Sequence, residues 1–130
     1  MVSDPVGDFV VQIINAGAVR KDTVSVPYSK LKQAVADTLV ATGYLKDATK
    51  RGRKIKKMLD VTLCYQGGQH IIRGVKRISK PGRRMYIRAT DIHPVKFGSG
   101  SLILSTPIGI VSGEEARKQR VGGEQLFIIW

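Results

Sequence analysis

The chain has 130 residues, 42% of them hydrophobic, enough for one moderate core or two small ones and too few for a large catalytic architecture. Its 22 Lys and Arg against 10 Asp and Glu give a formal charge of +12, which points to a polyanionic partner, nucleic acid first. No stretch approaches the ~20 consecutive apolar residues of a spanning helix, so no membrane partner is expected, and the lone Cys64 excludes an internal disulfide and lacks the companions of a zinc site.

In chain order, Asp4 and Pro5 predict an N-cap and first helical residue, and Val6, Phe9, Val10, Ile13 and Ile14 follow helical spacing to a stop near Gly17. With Asp4 and Asp8 leading into a helix, the opening resembles neither a secretory signal nor a transit peptide. Thr23 to Pro27 predicts a short strand. Ser29 then caps a second helix with Leu31, Val35, Thr38 and Leu39 on one face and Gly43 as its stop. A strand at Tyr44 to Ala48 and a basic loop follow. Leu59, Val61, Leu63 and Tyr65 alternate with Asp60, Thr62, Cys64 and Gln66, the period of a half-buried strand. Gln66-Gly67-Gly68-Gln69 predicts a hairpin turn, with the return strand running from Ile71 to Ile78.

Pro81-Gly82 marks a tight turn, and the expected boundary between two modules lies there, dividing residues 1–79 from 80–130. Beyond it, strands are predicted at Arg84 to Arg88, Ser101 to Ser105 and Gln125 to Trp130. One short helix is predicted from Gly113 to Gln119, opened by a Ser112/Glu115 capping box and ended by Gly122-Gly123. The expected class is α+β, with an α/β first half and a mostly β second half.

The charge is not spread evenly. Fourteen basic residues and two acidic ones lie between Lys46 and Arg88, so the whole excess of +12 falls in that segment. Such concentration predicts one strongly positive region, although a single run such as Lys50 to Lys57 is ordinarily a solvated loop.

Residues of a hydrolase triad are present in Asp91, His93 and Ser105, but no G-x-S-x-G elbow surrounds the serine. His70 and His93 are too few for a metal site and are expected at the surface or in loops. Glu114 and Glu115 are explained by the dipole of the helix they open. No enzyme, cofactor or small-molecule substrate is expected. A DNA-reading module would need a helix dense in arginine and asparagine, and neither long predicted helix has one.

RNA fits better. Pro81-Gly82-Arg83-Arg84-Met85-Tyr86-Ile87-Arg88 interleaves three arginines with a tyrosine on which an unpaired base can stack. Ser105-Thr106-Pro107-Ile108-Gly109 places two hydroxyls at the end of an apolar strand, where they can reach base edges and ribose 2′-OH groups; alone, the motif is more often a plain turn. Cys64 is expected to be a core residue rather than a reactive thiol.

Several ordered motifs carry a resemblance. Asp4-Pro5-Val6-Gly7-Asp8, Ile14-Asn15-Ala16, Val26-Pro27-Tyr28-Ser29-Lys30-Leu31-Lys32 and Gly43-Tyr44-Leu45 open the chain. Ile78 to Tyr86 stands at mid-chain, and Leu104-Ser105-Thr106, Gly109-Ile110-Val111, Glu115-Ala116-Arg117 and Gly122-Gly123-Glu124 lead to Trp130. In this order and over essentially the whole chain, they resemble bacterial-type members of the small-subunit ribosomal protein eight family. The resemblance implies a two-domain structural protein of the ribosome, cytoplasmic or organellar. It would bind the central domain of small-subunit ribosomal RNA early, help to organise the platform and touch neighbouring small-subunit ribosomal proteins.

By the same resemblance, the carboxy-terminal domain supplies the main grip. Ser105 and Thr106, with Gly109 closing the turn, would form the hydroxyl loop, flanked by Tyr86 and Gly122-Gly123-Glu124. Arg83, Arg84 and Arg88, by their charge rather than by the resemblance, would add phosphate contacts beside Tyr86. Ser29 and Lys30 match a second contact region, and Lys56 and Lys57 would add phosphate contacts. Two departures stand out. Pro107 and Ile108 replace the third hydroxyl and the basic residue usual in the family's loop, and the Lys50 to Lys57 run is denser than the family leads one to expect.

Overall fold

A computed structural model describes residues 5–52, 57–93 and 100–130, so the expected N-cap Asp4 and the candidate Lys56 lie outside the described residues. The fold is α+β, and its contacts divide into two compact units between Ile72 and Arg73, upstream of the Ser79/Lys80 line drawn from the sequence.

In the first unit, α1 (Pro5–Ala18) buries Val6, Phe9, Val10, Ile13 and Ala16, the stripe its helical spacing dictates. β1 (Thr23–Pro27) leads into α2 (Lys30–Ala41), where Ser29 Oγ accepts from the Lys32 N–H at 3.1 Å. Val35, Ala36 and Leu39 are buried on α2, but Leu31, expected on the same face, is 38% exposed in the first turn. Gly43 follows the helix with φ +91°, as a helix stop requires. β2 (Leu45–Arg51) and β3 (Met58–Leu63) complete an antiparallel sheet in the order β1-β3-β2. Lys50 and Arg51, assigned to a loop by their charge, are therefore the end of a strand.

The alternation on β3 is as expected. Leu59, Val61 and Leu63 are buried, whereas Asp60 and Thr62 are only half-buried on the opposite face. On that polar face Asp60 accepts from Ser25 Oγ and from Arg51 Nε, each at 2.6 Å. The Arg51 bond, then the Ser25 bond, hold the Asp60 carboxyl below its ordinary range, and Arg51 is raised in return. Cys64 follows the end of β3 and is half-buried rather than a core residue.

Gly67 and Gly68, at φ +62° and +78°, turn β4 (Tyr65–Gln66) back into β5 (Gln69–His70), the two left-handed corners that a type I′ hairpin demands. His70 is not the surface residue expected. Its imidazole lies against α1 at Gly17, where any Cβ would overlap the ring, and 5.5 Å from the Tyr65 ring. Among the described residues its Nε2 is buried without a partner. Burial pushes its pKa below the ordinary 6.5. The folded state therefore binds fewer protons than the unfolded chain once pH falls through about 6.5, and stability drops with pH from there down to the folded pKa. We expect the urea midpoint of His70→Asn to vary less than that of the parent between pH 7.5 and 5.5. Equal slopes in the two proteins would refute the assignment.

The second unit departs more from expectation. The run from Ile71 to Ile78 is not one strand: only β6 (Val75–Arg77) is extended, and it pairs with the last strand rather than continuing the hairpin. The break has a long-range cause. The Arg73 and Gly74 N–H groups both donate to the Trp130 carbonyl, at 2.6 and 3.1 Å, and the indole lies so close to Gly74 that a Cβ there would be 2.5 Å from Cζ2.

Of the strand predicted at Arg84 to Arg88, only β7 (Tyr86–Ile87) forms, followed by a short 3-10 turn at Ala89–Asp91. β8 (Ser101–Thr106) turns into a strand not predicted at all, β9 (Gly109–Ser112), and α3 (Gly113–Gln119) leads to β10 (Gly123–Ile129). The sheet order is β6-β10-β8-β9, with β7 also on β10. α3 covers one face through Ala116, which packs with Leu102, Leu104 and Ile92. Ser112 Oγ caps α3 by accepting from the Glu115 N–H at 3.2 Å, but the Glu115 carboxylate accepts from Gln119 Nε2 instead of closing a capping box. The helix ends at Arg120 in the left-handed conformation (φ 58°), so Gly122-Gly123 is not its stop.

Candidate nucleic-acid interface

What Gly122 and Gly123 do instead is allow close approach. A Cβ on Gly123 would overlap the Ser105 carbonyl and lie 3.1 Å from the Thr106 Cα, and one on Gly122 would overlap the Ile87 carbonyl. These glycines seat β10 between β7 and β8, and the register then sets the site. Glu124 lies opposite Tyr86 on one side and Ser105 on the other, and Ser105 lies opposite Ile110. Directly opposed residues point to the same face, so Tyr86, Glu124, Ser105 and Ile110 form one row across four strands. Tyr86 is 69% exposed, which leaves its ring available for stacking.

The arginines surround this row. Arg84 Nη1 lies 3.3 Å from Glu124 Oε2, and with the Arg84 side chain 53% exposed the pair adds little to stability. It offsets the one carboxylate in the row and leaves the guanidinium partly exposed. Arg83 is exposed at the end of a turn in which Lys80 and Arg83 exchange backbone hydrogen bonds, with Gly82 at φ +86° after Pro81. Arg88 is exposed just before the 3-10 turn.

The two hydroxyls expected to act together have different surroundings. Thr106 Oγ1 donates to the Gly109 carbonyl at 2.7 Å and accepts from the Ile108 N–H at 3.3 Å, so it holds the turn that Pro107 and Gly109 (φ +123°) shape. Ser105 Oγ has no partner among the described residues. Ile108, at the hairpin tip, is 56% exposed.

One residue the sequence did not single out positions the tyrosine strand. Ser79 is 1% exposed; its Oγ accepts from the Met85 N–H at 2.9 Å and its own N–H donates to the Gln125 carbonyl. The Gln125 N–H donates in turn to the Met85 carbonyl, so the residue before Tyr86 is tied to β10 through Ser79. A serine beside a basic run carries no local signal of such a role. Ser79→Ala should cost about 2 kcal/mol by leaving the Met85 N–H without its partner, read as a lower denaturant midpoint at unchanged slope; an unshifted midpoint would exclude it.

The remaining candidates belong to the 5–72 unit. Ser29 is spent on capping α2, Lys30 is exposed in its first turn, and the Lys57 carbonyl accepts from the Tyr28 N–H at 3.1 Å. Lys50 Nζ lies 4.8 Å from the centre of the Tyr28 ring, a cation over an aromatic face. Among the described residues no group of His, Cys, Asp and Glu could hold a metal ion, and no helix is long and apolar enough to cross a membrane.

Residues 4–130 match the family model described as Ribosomal protein S8. The chain is 43% identical over its full length to a protein of Nitratidesulfovibrio vulgaris, itself covered completely, named small ribosomal subunit protein uS8. Proteins of the same name from Roseiflexus castenholzii and Clostridium acetobutylicum are 44% and 43% identical, over 99% and 100% of this chain and 98% and 99% of theirs.

Proposed function

This chain belongs to the ribosomal protein S8 family, and from that premise we propose that it binds the central domain of small-subunit ribosomal RNA and helps to assemble the platform. As a family member it is a structural, non-enzymatic constituent of the small ribosomal subunit, placed in the cytoplasmic ribosome. Its partners are that RNA and neighbouring small-subunit ribosomal proteins. The observation that carries the reading is the row Tyr86, Glu124, Ser105 on three adjacent strands, with Arg84 on Glu124 and Arg83 and Arg88 exposed nearby.

Each group has its part. The tyrosine offers a stacking face for an unpaired base. The Ser105 hydroxyl and the Glu124 carboxylate meet base edges or ribose 2′-OH groups in a wide shallow groove. The arginines take phosphates, which fixes orientation without reading sequence. Ser29 and Lys30 form a second contact through the 5–72 unit, and Lys56 and Lys57 add long-range attraction.

Filter binding of the full chain to a central-domain transcript tests this reading. Affinity should fall steeply with salt, in proportion to the phosphates neutralised. Reversing the charge of Lys56 and Lys57 should lower affinity for structured RNAs alike and flatten that dependence. A loss confined to one RNA sequence would contradict a phosphate role for these lysines, and equal binding of unrelated transcripts by the parent protein would overturn the specific reading.

A further inference from the structure

The free edge of β1 has a chemistry that the RNA reading does not use. Its bonding parity is fixed at both ends: the Leu63 N–H donates to the Asp22 carbonyl at 2.8 Å, and the Tyr28 N–H donates to the Lys57 carbonyl at 3.1 Å. Residues of an antiparallel ladder alternate, so Asp22, Val24, Val26 and Tyr28 turn their backbone groups to β3, while Thr23, Ser25 and Pro27 turn theirs outward. Pro27 has no N–H, and its carbonyl accepts from Lys32 Nζ at 3.2 Å. That leaves the N–H and C=O groups of Thr23 and Ser25, and β1 has no strand partner besides β3 among the described residues.

These groups face an open groove of about 470 Å³ between β1 and α1, lined by Gln12, Asn15, Val19 and Lys21. Natural sheets blunt their edges with charge or proline. β2, at the other edge of the same sheet, carries Lys46, Asp47, Lys50 and Arg51, and Pro27 closes one end of β1, but Thr23-Val24-Ser25 is uncharged and exposed or half-buried. We propose that this stretch docks an extended segment of a neighbouring protein as an added strand, with an acidic residue of that segment beside Lys21. Donors and acceptors alternating at strand spacing match a polypeptide backbone. A nucleic-acid backbone offers mainly acceptors, and among the described residues lining the groove Lys21 is the one cation that could meet its phosphates. Val19, 67% exposed, supplies an apolar wall for one side chain of the added strand.

The choice of assembly in which to test this rests on the ribosomal placement above, but the result is separable from RNA affinity. In the isolated full chain, the amides of Thr23 and Ser25 should exchange with solvent fast and those of Val24 and Val26 slowly. In purified small subunits verified to contain the chain, exchange at Thr23 and Ser25 should slow at least tenfold. A photo-crosslinking residue replacing Gln12 should attach there to a protein segment that contains a carboxylate side chain. Ser25→Pro should abolish that crosslink, and Ser25→Ala, which keeps the N–H, should retain it. Unchanged exchange in the subunit, or a crosslink to ribosomal RNA or to a second copy of the chain, would overturn the proposal.

Discussion

An alanine at position 123 should lower the stability of the 73–130 unit by about 3 kcal/mol, the cost of forcing atoms into a filled space, and remove most specific RNA binding with it. The reason is local and severe. The Cβ would overlap the Ser105 carbonyl and crowd the Thr106 Cα, both of them backbone, which no side-chain rotation can move aside. β10 must then draw away from β8 at the point where Glu124 and Ser105 share a row, so the ladder and the binding row are damaged together. Denaturant unfolding should show the midpoint fall at a nearly unchanged slope. A variant as stable as the parent would show that the strands do not approach as closely as described.

The second large effect is expected from Ser105→Ala combined with Thr106→Val, which should weaken binding to the central-domain transcript by about 3 kcal/mol, roughly a hundredfold in Kd. The two substitutions act differently. Ser105 offers a hydroxyl with no partner inside the described protein, so its loss removes a direct contact. The Thr106 hydroxyl bridges Gly109 and Ile108, so its loss loosens the turn that aims the hairpin tip. Thr106→Ser, which can rebuild the bridge, should restore most of the affinity lost by Thr106→Val, whereas Ser105→Thr has no such bridge to rebuild. Unchanged affinity in the double variant would remove the loop from the interface.

How much of this was legible in the sequence depended on how local each cause is. α1, α2 and β3 follow from short-range periodicity, β1 from its β-branched residues and closing proline, and the start of α3 from Ser112; the end of α3 does not, because its left-handed stop is Arg120 and not the glycine pair beyond it. The double-glycine hairpin at Gly67-Gly68 follows from two positive φ angles that only glycine adopts readily. The run from Ile71 to Ile78 has strand composition throughout, but its break is set by Trp130, at the far end of the chain. β9 has no comparable local signal, because Gly109-Ile110-Val111-Ser112 is short and follows a proline turn. Its extended state comes from pairing with β8.

For the site, the chemical types were legible and the arrangement was not. Tyr86 among arginines and two hydroxyls beside a glycine suggest RNA, but no spacing rule places Tyr86, Glu124 and Ser105 in one row. That depends on strand register, which Gly122 and Gly123 set by admitting the backbone of Ile87 and Ser105, remote in the sequence, and which shifts between Gln125 and Phe127. The resemblance to ribosomal proteins supplied the grouping of these residues before the register did. It did not single out Ser79, whose buried hydroxyl acts on the backbone of Met85.

The most direct measurement is ultraviolet crosslinking of the protein to RNA in living cells, followed by sequencing of the attached RNA and mapping of the attached peptides. We expect the RNA to be one segment of the central domain of the small-subunit ribosomal transcript, and the peptides to include Tyr86 and the Ser105 to Gly109 turn. Crosslinks spread over unrelated RNAs, or confined to peptides of the 5–72 unit, would contradict the central claim.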